Sequence, residues 1–319
     1  MSSSLADLTN IEKANQDYLT GLELLQTSCI RCRCTPNYLD AIPYFKKAAD
    51  IYHGCGKFEK EVATRQKLVR CFNNEKSFWE EGNEYEKISK VQLNQLKSIQ
   101  DAHNSIINSF NAYIINHSYE DGIKALTKAS NDFIDTGNNE EAIKILDQAF
   151  DGIEKYFHIL TLDCDYTHLY IYECIDKYID LLFGEEEYDK SEEVSRKSAE
   201  LIIKDNKGEK RAICKYYGFQ AIAELLGKHE DKFSKTVETG MSYEEGEDNF
   251  CSKINRFVDI VKQNHKDNER PLKKIFKEIS MKVPSSISKM LNIKYIQQYS
   301  NNSRDDREKK TDSEEEDLK

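Results

Sequence analysis

The sequence predicts an all-α protein, a solenoid of antiparallel helix hairpins, and three observations predict it. Apolar residues recur at helical spacing, and no alternating Val/Ile/Thr stretch of the kind a strand needs occurs. Only four of 319 residues are proline and 32% are charged, as suits long exposed helix faces. Most telling, one helix–turn–helix pattern, Tyr119 to Ile143, recurs without gaps.

In that pattern Ser118 and Asp121 have the spacing of a helix start, the Ser118 hydroxyl being placed to accept from the first amides. Ile123, Leu126, Ala129, Phe133 and Ile134 share one face. Gly137 offers a left-handed stop, Asn138 with Glu141 is read as the next cap, and Ala142, Ile145, Leu146, Ala149 and Ile153 rebuild the stripe. Tyr38, Tyr119 and Tyr188 open three copies. Ala48, Ala129 and Ser198 follow ten residues on, then Ala49, Ser130 and Ala199, then Tyr52, Phe133 and Ile202 at fourteen. Gly56, Gly137 and Asn206 close the first helix of each copy, and Glu59, Glu140 and Glu209 enter the next. The intervals of 81 and 69 residues (119 − 38 and 188 − 119) each predict two units, about 40 and 35 residues long, near the tetratricopeptide period. The unit from Lys76 to His117 does not align.

Taken in order, a first helix is predicted over 7–27, followed by the thiol-rich loop TSCIRCRCTPN. Helix pairs continue to Gly227, making 1–227 the repeat domain. Residues 228–299 are predicted as a C-terminal helical cap, with one stripe at Phe257, Ile260 and Val261 and another at Leu272, Ile275, Phe276 and Ile279. Pro284 is read as the end of the ordered part, with Lys289 to Tyr299 adding a turn or two. Residues 300–319 have the composition of a disordered acidic tail.

The net charge of −11 argues against a nucleic-acid binder, which needs clustered cations. Few aromatics interleave with the C-terminal lysines, so base stacking is not evident either. Asp180–Phe250 carries 18 acids and 11 bases, a net of −7, while Cys251–Tyr299 carries 11 bases and 4 acids, a net of +7. Opposite signs in neighbouring segments suit more than one protein partner, although most single charges are ordinary solvated faces. The N-terminus has no signal-peptide core and no stretch has the ~18 apolar residues of a membrane span. Nine cysteines then read as reduced thiols in the cytoplasm.

No phosphate loop, dinucleotide fingerprint, HExxH or nucleophile elbow occurs, and the thirteen glycines are scattered. No catalysis, cofactor or small-molecule substrate is predicted. His168, inside an aromatic-rich helix, reads as a core or groove histidine. The sharpest cluster is Cys29, Ile30, Arg31, Cys32, Arg33 and Cys34. Zinc would need a fourth ligand, and the nearest, His53 and Cys55, lie beyond a helix of about 15 residues, roughly 22 Å away. Plain thiols are the ordinary reading, with acylation beside the two arginines as the alternative.

The stretches LLQTSCIRCRCTPNYLDAIPYFKKAADIY and LTKASNDFIDTGNNEEAIKILDQAFDGIE resemble the soluble NSF attachment protein (SNAP) family. The short loop ending in Pro36-Asn37-Tyr38 and the run Ile279 to Pro284 are closest to its gamma subtype, while the final Ser-Glu-Glu-Glu-Asp-Leu-Lys is similar to the alpha subtype's tail. The resemblance implies an adaptor of vesicle transport and membrane fusion, cytoplasmic and peripherally membrane-associated. Its basic concave face would lie on the SNARE four-helix bundle, and its C-terminal part would recruit and stimulate the hexameric ATPase NSF.

On this resemblance Lys144 and Lys177 match lysines used against SNAREs, while Glu173 stands where the alpha subtype has another. The loop Cys29–Cys34 would touch the bilayer, without the alpha subtype's phenylalanines. Glu244, Glu245, Glu247 and Asp248, with Glu314, Glu315, Glu316, Asp317 and Leu318, would serve NSF, and Glu185–Glu187 is a further acidic patch. The alternative is a generic tetratricopeptide peptide-binding scaffold or co-chaperone, which needs Lys, Asn and Arg converging in one groove.

Overall fold

Residues 5–27, 35–161, 167–205, 209–243, 246, 249–263 and 268–297 are described in a computed structural model of the chain. They form fourteen α-helices and one π-helical turn, with no strand among them, in two units spanning 1–163 and 164–319. The fold is all-α and tetratricopeptide-like. A boundary at residue 227 falls inside the second unit, between two helices that pack together.

The first unit holds α1 (Leu5–Leu25), α2 (Tyr38–Gly54), α3 (Phe58–Asn74), α4 (Phe78–Asn94), α5 (Ile99–Ile115), α6 (Tyr119–Asp135) and α7 (Asn139–Leu160). From α2 on, helices start at 38, 58, 78, 99, 119 and 139, in steps of 20 or 21. The step is set by the turn. Gly56, Lys76, His117 and Gly137 all take left-handed φ, +65°, +57°, +59° and +77°. The next amides, of Lys57, Ser77, Ser118 and Asn138, then donate back to the carbonyls of Tyr52, Phe72, Tyr113 and Phe133 at 2.8–2.9 Å. This is a Schellman closure, and it satisfies carbonyls that a helix end otherwise leaves orphaned. The accepting residue is in each case a buried aromatic.

Adjacent helices pack antiparallel, and α4 also meets α6 while α5 meets α7. The even-numbered helices therefore form one layer and the odd-numbered ones the other. The small residues at the tenth and eleventh places of the repeat, Ala48, Ala49, Ala129 and Ser130, are all buried.

Several sequence expectations are corrected. The unit that resisted alignment is α4 and α5; its left-handed posts are Lys76, Lys97 and His117, so the glycine marker is missing. The interval from Tyr119 to Tyr188 holds three helices, not two hairpins, because α7 runs on to 22 residues. Ser118 and Asn138 sit at N-caps but make no side-chain cap; Ser118 Oγ accepts from Asn116 Nδ2 and Asn138 Nδ2 donates to Thr136. Their side chains turn back into the turn they belong to, and their carbonyls accept from Gly122 and Ala142 instead. Asn37 is a true cap, accepting from the Asp40 amide at 3.1 Å. Of the helix-closing trio, Asn206 lies outside the described residues, as do 298–319.

An ion network ties α2, α3 and α4 together. Arg65, 7% exposed, donates Nε to Glu61 Oε1 and Nη1 to Glu84 Oε2, both at 2.8 Å, and Nη2 to Asp50 at 3.3 Å. His53 Nδ1 lies 2.8 Å from the other Glu61 oxygen, and Lys87 donates to the other Glu84 oxygen at 2.7 Å. Removing the guanidinium would leave the buried carboxylates Glu61 and Glu84 with His53 and Lys87 alone. Arg65→Met is expected to lower unfolding free energy by about 3–5 kcal/mol in urea melts.

The second unit holds α8 (Thr167–Gly184), α9 (Tyr188–Asp205), α10 (Lys210–Gly227), α11 (Glu230–Met241), α12 (Phe250–Gln263), α13 (Glu269–Ser280) and α14 (Ser285–Leu291). Here α10 is the axis, packed by α9, α11 and α12. Gly218 permits this: a Cβ there would stand 2.3 Å from the Phe250 ring. Of the two predicted stripes, Phe257, Leu272, Ile275 and Ile279 are buried, while Ile260, Val261 and Phe276 are half-buried. Pro284 does not end the packed chain. It is the N-cap of α14, a place where its missing N–H costs nothing. The Ser286 amide donates to Asp180 of α8 at 3.0 Å. The π-helical turn Asn292–Gln297 follows, and Lys294 donates to the terminal α10 carbonyls of Leu225 and Leu226.

Glu224 of α10 is fully buried. Its Oε1 accepts from Gln220 and Thr236, but its Oε2 has no hydrogen-bond partner among the described residues. Burial raises its pKa above the usual carboxylate range, opposed by Thr236 and Gln220. Because the folded-state pKa exceeds the unfolded one, this group's contribution is most favourable below about pH 4 and is lost as pH rises. Glu224→Gln is therefore expected to raise the melting temperature at pH 7 relative to the parent, the difference shrinking as pH is lowered toward 4.

Candidate functional site

Lys144 stands on the second turn of α7, in the odd layer of the first unit. Its ammonium is exposed and lies 2.5 Å from Glu141, and that hydrogen bond raises its pKa. Glu141, predicted as part of the α7 cap, instead sends its other oxygen to within 2.8 Å of His103 Nδ1 on neighbouring α5. The charge Lys144 presents is thus partly neutralised by a carboxylate anchored between two helices. Lys177 is half-buried on α8, one turn after the exposed Glu173. It belongs to the second unit, so the structure treats the two lysines separately.

The acidic run Glu185–Glu187 is exposed and forms the α8–α9 turn, with Glu186 at φ +62° and the Glu187 amide donating to Leu182 O. The loop Cys29–Cys34, the patch Glu244, Glu245, Glu247 and Asp248, and the tail Glu314–Leu318 lie outside the described residues, as does the His168 side chain. Of the suggested zinc partners, His53 is engaged by Glu61 and Cys55 is half-buried. No helix among the described residues is long and apolar enough to cross a membrane.

The structure adds grooves that the sequence did not disclose. In the even layer a groove of about 560 Å³ between α2 and α4 has the Arg65 network as its floor and Lys87 and Lys90 on its wall. The same two lysines border a smaller groove of about 190 Å³ toward α6, with Lys128 and Asp132. Counting Arg65, Lys87, Lys90 and Lys128 against Asp50, Glu61, Glu84, Glu86 and Asp132, the surroundings of these two grooves are close to neutral. In the odd layer a groove of about 480 Å³ runs between α1 and α3 over Tyr52 of α2. The Glu61–Arg65 spacing of four was a visible signal for the ion network; the grooves needed the helix pairing.

No protein-family model matches the chain, and no curated protein does. Among solved structures it is similar to BtubC (BKLC) from P. vanneervenii at 10% identity and TM-score 0.33, over 75% of this chain and 91% of that one. A Podosopora anserina protein of nearly identical TPR-like repeats gives 10% and 0.32, over 74% and 92%. Likeness at this level says nothing about ligand or partner.

Proposed function

We propose that the chain is a non-catalytic helical-repeat adaptor of SNAP type. It would hold a SNARE four-helix bundle laterally through Lys144 and Lys177, and recruit and stimulate the NSF ATPase through its acidic segments and tail. The observation that carries this reading is the register. Lys144 follows Gly137 by seven residues, and the left-handed turn at Gly137 fixes where that lysine emerges on α7. A stiff array can grip a coiled bundle by several weak charge contacts without reading a sequence, and each contact is modest because water screens it, with Glu141 screening Lys144 as well. The tail's acids would steer it to a basic surface, and Leu318 would insert locally. Contact of the Cys29–Cys34 loop with a bilayer, and a cytoplasmic location at membranes, belong to the same proposal.

The grooves between neighbouring helices favour a second reading, a generic repeat scaffold for peptides. Pull-downs with assembled SNARE complex and with NSF separate the two. The double variant Lys144→Glu/Lys177→Glu should bind SNARE complex about 5- to 30-fold more weakly with unchanged helicity, and parental binding should fall with salt. Binding equal to the parent's would remove these lysines from the interface. Leu318→Ala should keep SNARE binding but lower NSF ATPase stimulation at saturating adaptor; full stimulation would leave the terminal leucine without a role.

A further inference from the structure

Helices α1 and α3 lie side by side in the odd layer, and each offers the groove between them an i, i+3, i+4 triad. From α1 come Asn15, Tyr18 and Leu19, and from α3 come Lys60, Ala63 and Thr64. Tyr52 of α2 forms the floor, its hydroxyl donating to Asn15 Oδ1 at 2.8 Å. Tyr18 is held edge-on to Phe45, with ring centroids 5.7 Å apart. Thr64 Oγ1 is spent on the Lys60 carbonyl at 2.7 Å. The walls are therefore fixed and mostly apolar, and Leu19 is left 53% exposed at the rim.

Among the described residues Lys60 is the one charged side chain lining this groove. Its ammonium donates to Asn15 Oδ1 at 3.0 Å and stands 5.4 Å from the centre of the Tyr52 ring. Both partners are neutral, and no carboxylate among the described residues pairs with it. Elsewhere in this acid-rich chain lysines find carboxylates readily: Lys47 meets Asp17, Lys87 meets Glu84 and Lys124 meets Glu120. Held between a side-chain amide and a ring, the Lys60 cation is oriented without being neutralised.

We propose that the α1–α3 groove docks an amphipathic helix of a partner protein. One apolar side chain of that helix seats against Tyr18, Leu19 and Tyr52, and a carboxylate one turn away pairs with Lys60. A groove of about 480 Å³ takes side chains rather than a main chain, and groove packing between two helices is a geometry a third helix fits. The complementary charge makes the partner acidic at that turn. The docking does not depend on the partner being a SNARE bundle, so it can fail or hold separately from the SNAP reading.

The test is a display library of single-helix peptides, randomised on one face and selected against the full chain. Enriched peptides should carry Leu, Met or Phe with Asp or Glu three or four positions away. Their affinity, read by fluorescence anisotropy, should drop about tenfold for Lys60→Glu, and exchanging the peptide acid for Lys should restore binding to that variant. Ala63→Trp, an exposed position, should fill the groove and abolish binding while circular dichroism stays unchanged. Enrichment without an acid, or affinities indifferent to both variants, overturns the proposal. So does sedimentation showing that the chain self-associates and that Ala63→Trp returns it to monomer, since the occupant would then be a second copy.

Discussion

The first unit depends on one backbone constraint, a single left-handed residue in each short interhelical turn. With φ near +60° at Gly56, Lys76, His117 and Gly137, the chain reverses within three residues and the following amide reaches back to a carbonyl five residues earlier. The left-handed conformation costs a non-glycine residue about 1–2 kcal/mol. At Lys76 and His117 the two recovered backbone bonds and the burial of Phe72 and Tyr113 offset that cost. Because the turn length hardly varies, helix starts keep their 20-residue step, and every side chain's place in a layer follows from its distance to the turn.

That regularity sorts the charged residues into two faces of different character. Around the even layer's grooves Arg65 and Lys87 are spent on the carboxylates of α2, α3 and α4 and serve cohesion, Lys128 reaches Glu86 only at 3.8 Å, and Lys90 pairs with no carboxylate among the described residues. Lys60 in the odd layer has neutral partners, and Lys144 there shares a carboxylate with His103. The α1–α3 groove of the odd layer, where Lys60 meets neutral partners, is the proposed seat of an acidic helical partner, while the second unit builds its core around α10 and tolerates a buried carboxyl at Glu224.

Much of this was legible from residues. Glycine marks the left-handed stops at Gly56 and Gly137, and the small pairs Ala48–Ala49 and Ala129–Ser130 announce close helix approach. Legibility failed where another residue performs the same task. Lys97 closes a turn one residue longer than its neighbours, and the position that elsewhere holds an aromatic is Gln92, whose carbonyl accepts from Ser98. Pro284 misleads because proline signals both a helix end and a helix start, and only packing against α8 decides which. Ser118 and Asn138 show the same ambiguity for caps, their side chains having equally good partners in the preceding turn. The α1–α3 groove had no sequence signal, since its two triads lie 45 residues apart (60 − 15) and meet only through helix pairing.

The most direct measurement is lysine acetylation footprinting of the full chain, alone and with assembled SNARE complex bound, read residue by residue by mass spectrometry. If the odd layer is the docking face, Lys60 and Lys144 become protected while Lys90 and Lys128 keep their reactivity. Protection of Lys90 and Lys128 with Lys60 and Lys144 unchanged would place the partner on the even layer and contradict the assignment of faces drawn from the turn register.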